Sequence, residues 1–200
     1  MEKEIKIDVI WYLLDIDEQE AIVIKSQDKE YSDKIVIPSF FFHEGITYRV
    51  TRIGEQAFQF CSKLYSITIP DSVIKVESKA FEGCWELAEV HVNSIEDWCK
   101  IEFSGPYSNP LVNSWKESYG RNITNLCIKG EVISELIIPS TVKIVKDYTF
   151  SFCEGLTSIT ILDGVTHIGE GAFIYCTNIK HVTIPNSVIS IGERAFYNCI

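Results

Sequence analysis

Two hundred residues, 46% of them apolar and 12% aromatic, suffice for one large domain or two small ones and exclude a disordered chain. The 28 acidic side chains outnumber the 18 basic ones, and a formal charge of −10 has the wrong sign for gripping a phosphate backbone, so nucleic acid is set aside as a partner. Seven cysteines are an odd number in a chain too long for a small disulfide scaffold, so their spacing rather than their count must say what they do.

The N-terminal residues Met1 to Asp8 lack the basic start, apolar middle and small-residue cleavage site of a secretory signal. The longest apolar run, Val9 to Leu14, is far short of the ~20 residues of a membrane helix. The chain therefore reads as soluble, with any export signal or anchor lying outside it. Residues 1–49 form an N-terminal cap: Ile5 to Leu13 and Glu20 to Ile24 are expected to be two strands of a hairpin joined by the polar Asp15 to Gln19 turn. Trp11 is assigned to the core of that cap.

From residue 50 the chain repeats itself. The pair Ala57-Phe58 returns as Ala80-Phe81, Ala172-Phe173 and Ala195-Phe196, with Thr149-Phe150 as a weaker copy, and the phenylalanine spacings are 23, 69, 23 and 23, where 69 is three periods. Three residues after each phenylalanine stands a cysteine: Cys61, Cys84, Cys153, Cys176 and Cys199. Leucine or isoleucine follows at Leu64, Leu87, Leu156 and Ile179, and then an alternating pair such as Ile67/Ile69 or Ile159/Ile161. Alternation of period two predicts a short strand with one apolar face, and such a strand is buried only if copies stack in parallel into a wall. Proline ends the strand at Pro38, Pro70, Pro139 and Pro185. The chain then returns along the opposite side through Val-x-x-Ile-Gly, where Gly54, Gly169 and Gly192 are read as permissive turn residues. Ala-Phe-x-x-Cys has offsets suited to one helical turn. The fold class is therefore a solenoid, β-rich with short helical turns and a parallel-strand wall, with regular repeats over 50–92 and 136–200.

Between them, 93–135 is an irregular insert. Ser94-Ile-Glu-Asp97 resembles a capping box opening a helical turn with Trp98 and Ile101; Phe103, Tyr107, Trp115 and Tyr119 follow among turn signals, and Leu126 to Val132 reads as a tight hairpin. The segment is read as a variant coil of the array, with an exposed aromatic patch that grips a ligand as the competing reading. At the far end the chain stops four residues after Phe196, which predicts a truncated last repeat, no C-terminal cap and an open strand edge at Ile179 to Ile184 able to self-associate.

These units, above all Val50 to Ser72 (VTRIGEQAFQFCSKLYSITIPDS), resemble the BspA-type leucine-rich repeats, whose unit reads roughly V-x-x-I-G-x-x-A-F-x-x-C-x-x-L-x-x-I-x-I-P-x-S. The resemblance implies a leucine-rich-repeat solenoid with an N-terminal β-hairpin cap, and inserts similar to the one around Trp98-Cys99 and Asn109-Pro110-Leu111. It also implies a bacterial protein at the cell surface or outside it, and adhesion to an extracellular, host or matrix, macromolecule.

No catalytic or phosphate-binding motif is present, and five of the cysteines fall in one buried column, which disfavours the thiolate that catalysis or metal binding needs. No enzyme activity, cofactor or metal is expected. Cys99 and Cys127 lie off that column, with partial exposure and a disulfide between them left open, and Asn122-Ile-Thr124 is a glycosylation sequon. What remains is the outward face of the wall, where Ser66, Thr68, Glu89, His91, Glu135, Ser158, Thr160, His181 and Thr183, together with Ile137, form two continuous columns. They suit an extended contact to an extracellular protein or glycan, with a structural spacer or self-assembly element as the alternative.

Overall fold

A computed structural model describes residues 2–112 and 123–199. Two walls of parallel strands run through the repeats. The first wall carries the alternating strands, Leu64–Thr68, Glu89–Val92, Glu135–Ile138, Ser158–Ile161 and His181–Thr183; the second carries two-residue strands such as Lys75–Val76, Ile144–Val145, His167–Ile168 and Ser190–Ile191. The register is the sequence period itself: Ser158 pairs with Glu135 and His181 with Ser158, each 23 residues on. The core lies between the walls, with Ile67, Val90, Ile159 and Val76, Val145, Ile168 all buried. The phenylalanines stack as a ladder, with ring centroids 5.1 Å apart for Phe58–Phe81, 5.4 Å for Phe150–Phe173 and 5.1 Å for Phe173–Phe196.

Between the walls each coil turns through Ala-Phe-x-x-Cys. Bonds from Ala57 N to Gly54 O (3.2 Å) and from Cys61 N to Phe58 O (3.0 Å) make tight i to i+3 turns, as expected. They do not extend into a helix, because residues two before and two after the phenylalanine are left-handed: Gln56 and Phe60, Lys79 and Gly83, Tyr148 and Phe152, Gly171 and Tyr175, Arg194 and Asn198.

The glycine column has a different cause from the one its sequence suggested. Gly54, Gly169 and Gly192 are absent from the positive-φ positions; what they lack is room. A Cβ on Gly192 would stand 2.5 Å from Glu170 N and 2.6 Å from Gly169 C, and one on Gly169 2.5 Å from Asp147 N, both in the coil below. These glycines let successive coils approach at strand spacing.

The cap also departs from the expected two-stranded hairpin. Asp8 adopts a left-handed φ of 52°, and the first apolar stretch folds into two antiparallel strands, Glu2–Ile7 and Ile10–Asp15, followed by Glu20–Ile24. A further hairpin, Phe40–His43 against the start of Ile46–Ile53, completes the cap, and the third strand pairs in parallel with Ile46–Ile53 to begin the second wall. Period-two alternation turns Tyr12 inward, 1% exposed, and puts Trp11 on the other side, half-buried with its indole N–H on Asp28 Oδ2 at 3.4 Å, so Trp11 is not the cap's core residue. Tyr31 closes the phenylalanine ladder, its ring 4.8 Å from Phe58 and its hydroxyl donating to Ile24 O at 2.8 Å.

The insert supplies one strand to each wall, Glu102–Phe103 against Lys75–Val76 and Asn125–Ile128 against Glu89–Val92. Ser94 caps the helix Ile95–Lys100, accepting from Asp97 N at 3.1 Å. Trp98 and Phe103 are core residues, with ring centroids 5.2 Å apart, while Tyr107 is exposed; Trp115, Tyr119 and the Asn122 sequon lie outside the described residues. Asn125–Ile128 and Glu131–Val132 form the predicted hairpin around a two-residue turn, with φ of 52° at Lys129 and 87° at Gly130.

Candidate functional site

The hairpin changes the candidate surface. Glu131–Val132 runs antiparallel beside Asn125–Ile128 and ends that ladder, so the first wall is two sheets: one with the order Glu131–Val132, Asn125–Ile128, Glu89–Val92, Leu64–Thr68, Asp33–Val36, the other with Glu135–Ile138, Ser158–Ile161, His181–Thr183. The expected continuous columns from Glu89 and His91 to Glu135 and Ile137 are thus interrupted. Glu89 has Asn125 as its neighbour and His91 has Cys127. A sequence period of 23 does not reveal this break, because the hairpin occupies a wall position without belonging to the repeat.

On the N-terminal sheet, Ser66 and Glu89 are neighbours, as are Thr68 and His91. Ser66 is only 5% exposed, a short side chain between Lys34 and Glu89, and cannot serve as the ligand contact expected of it. Thr68, Glu89 and His91 are half-buried, and His91 Nε2 lies 3.0 Å from Glu89 Oε2. On the C-terminal sheet, Glu135, Ser158 and His181 share one column and Ile137, Thr160 and Thr183 the other. Glu135, His181 and Thr183 are exposed, and Ser158 and Thr160 half-buried.

A groove of about 370 Å³ crosses the N-terminal sheet. Besides Ser66, Thr68 and His91 it is lined by Lys34, Val36, Asn93, Lys129 and Gly130, which sequence reasoning did not select. Lys34 and Val36 were within reach of it: they flank Ile35, in the strand whose Ile35, Ile37 and Pro38 already match the repeat. Lys129 and Gly130 were not, since they enter the groove only through the hairpin. A second groove, about 680 Å³, lies on the other wall where Glu102–Phe103 and Ile144–Val145 fail to pair, and it is lined by Lys146, Asp147, His167, Glu170, Ser190 and Ile191 among others.

The thiols offer no reactive chemistry. All seven cysteines are buried and none is in a disulfide; Cys99 and Cys127, for which partial exposure was considered, are 4% and 1% exposed. Burial pushes the Cys61 thiol up to about 11 and Cys99 up to about 12, and it raises Cys84, Cys127, Cys176 and Cys199 as well. The column has a bonding role instead: Cys84 Sγ donates to Phe58 O at 3.1 Å, Cys176 to Phe150 O at 3.1 Å and Cys199 to Phe173 O at 3.0 Å, each reaching into the coil before. Among the described residues no three His, Cys, Asp or Glu side chains converge as a metal site would require, and no helix is long and apolar enough to cross a membrane.

No curated protein matches the sequence. A leucine-rich cell surface protein from Faecalibacterium prausnitzii is 25% identical with a TM-score of 0.57, over 98% of this chain and 52% of that one, so the chain spans about half the length of that protein. Leucine-rich repeat proteins from Treponema pallidum and Bacteroides ovatus are 22% and 19% identical, with TM-scores of 0.44 and 0.45. The first covers 98% of this chain and 68% of the other protein, the second 97% and 56%. The model of the BspA type leucine-rich repeat region matches residues 36–108 and 118–200 in six copies, on the same strands, turns and phenylalanine ladder described above. The chain belongs to the BspA-type leucine-rich repeat family.

Proposed function

We propose that this chain is a non-catalytic binding module that engages an extracellular protein or glycan through the outward face of its strand wall, as part of a bacterial surface or secreted protein. The observation that carries this reading is the wall itself. Two sheets of mainly parallel strands hold rows of polar side chains at strand spacing over a buried core, and such a surface makes an extended contact from many small contributions. A likeness to a leucine-rich cell surface protein supports the location.

The test is binding to a panel of extracellular-matrix proteins and glycans by biolayer interferometry, with one variant per sheet. Thr68→Ala/Glu89→Ala/His91→Ala changes the N-terminal sheet and Thr160→Ala/His181→Ala/Thr183→Ala the C-terminal one. A partner whose affinity falls at least about tenfold in one of them supports the wall as the site, since truncating several contact residues costs more than 1.4 kcal/mol. Unchanged affinity in both overturns it.

A self-assembly role has its own support. Val182, Ile184, Ile189 and Ile191 are 41%, 40%, 75% and 51% exposed, beside strands His181–Thr183 and Ser190–Ile191 that each pair with one strand among the described residues. Sedimentation showing a monomer over a wide concentration range would dispose of that role.

A further inference from the structure

The groove on the N-terminal sheet has a chemistry that narrows its occupant. It crosses the strands Asp33–Val36, Leu64–Thr68, Glu89–Val92 and Asn125–Ile128, which lie side by side in that order. Three strand spacings of ~4.8 Å carry the groove about 14 Å across the wall, and the register that sets Lys34 level with Ser66, Glu89 and Asn125 puts Lys129 four residues, about 13 Å, further along its strand, so the two lysines lie about 20 Å apart on a diagonal. Both lysines are exposed, and among the described residues neither forms an ion pair. Two exposed cations at the two ends of one groove stand out on a chain with a net charge of −10. Glu89, the acid on the intervening strands, is turned to His91 at 3.0 Å. Between the lysines lie the Thr68 hydroxyl and the Asn93 amide, and beside Lys34 lies Val36, 65% exposed.

We propose that this groove binds an extended acidic segment of a protein partner, laid diagonally over the strands with one carboxylate at Lys34, another at Lys129 and an apolar side chain on Val36. An extended chain advances ~3.3–3.6 Å per residue, so a diagonal span of about 20 Å places the two carboxylates about six residues apart. A uronic-acid polymer also brings carboxylates but has no apolar side chain to cover Val36, and a peptide is the better fit. The proposal rests on the wall being the binding surface and adds the class of partner.

Fluorescence anisotropy with a labelled peptide carrying glutamates at i and i+6 around a Val-Thr-Val-Thr-Val centre tests it. Saturable binding is expected that weakens as salt rises from about 50 to about 300 mM. Lys34→Glu and Lys129→Glu should each weaken it about tenfold and together about a hundredfold, while Lys180→Glu, outside the groove, leaves it unchanged. These are exposed positions, and matching thermal unfolding of each variant shows that the fold is kept. No binding, binding indifferent to both reversals, or tighter binding of an oligogalacturonate than of the peptide overturns the proposal. The wall reading falls separately, only when a matrix or glycan partner keeps its affinity for both alanine variants.

Discussion

In the regular coils, the carbonyl just before each inward phenylalanine accepts a backbone N–H from the coil preceding it: Phe58 N to Ala80 O, Phe150 N to Ala172 O and Phe173 N to Ala195 O, all at 2.8 Å. At the joint between the two repeat blocks the same carbonyl, Thr149 O, receives two side chains instead, the Trp98 indole N–H at 2.8 Å and the Asn109 amide at 3.1 Å. Asn109 also donates to Tyr148 O at 2.7 Å, and its side-chain Oδ1 accepts from Leu111 N at 2.9 Å. Both residues are 0% exposed. A stack of coils leaves a row of backbone acceptors wherever its period is broken, and a buried acceptor without a donor is costly. The insert interrupts the ladders on both walls yet keeps the core continuous, because it brings side-chain donors to the position where the missing coil would have placed a backbone one.

The largest effect that separates the two regions should come from the ladder. Phe173 sits between Phe150 and Phe196, and Phe173→Ala should cost about 3–5 kcal/mol in chemical denaturation. A loss below about 1 kcal/mol would mean that the coils are not coupled through their rings. At the joint, Asn109→Ala and Trp98→Phe should each cost about 1–3 kcal/mol, since each leaves Thr149 O with the other donor. The double variant orphans that carbonyl and should cost more than the sum of the two; additivity in the double-mutant cycle would show that the donors do not share it.

A pH-dependent effect concerns the thiols. Burial raises Cys61 from 9.0 to about 11 and Cys99 to about 12, so the folded state holds these protons more tightly than the unfolded chain. Their contribution is therefore fully present below about pH 9 and is lost as pH rises through 11 to 12. The melting temperature should fall between about pH 9 and pH 11, and a Cys61→Ala/Cys99→Ala variant should fall less steeply over that window. Equal slopes would rule these thiols out as the cause.

Much of the molecule is legible in the chain because the repeat is short and each of its columns has a single physical duty. The 23-residue phase of the phenylalanines, the alternating Ile/Val pairs and the closing prolines lead directly to the wall and its register. The Lys129–Gly130 turn was legible too, since a tight hairpin was the reading of Leu126 to Val132. The reason for the glycine column was not: Gly169 and Gly192 look like turn residues, and only the neighbouring coil shows that the constraint is a backbone 2.5 Å from the missing Cβ. Tyr31 gave no signal, because it closes the ladder from a segment without Ala-Phe-x-x-Cys.

The candidate surface divides the same way. Outward positions follow from alternation, so Thr68, His91, Thr160 and Thr183 could be read from the chain, and they do lie on the wall. Which of them share a sheet could not, and neither could the burial of Ser66 or the entry of Lys129 into the groove. By itself, the sequence of this protein determined the repeat, the inward columns and the family, because those depend on periods within one chain segment. Tertiary structure alone decided where the wall breaks, which donors mend the joint and which cations face one groove, because each of these depends on a pairing between strands that the period does not encode.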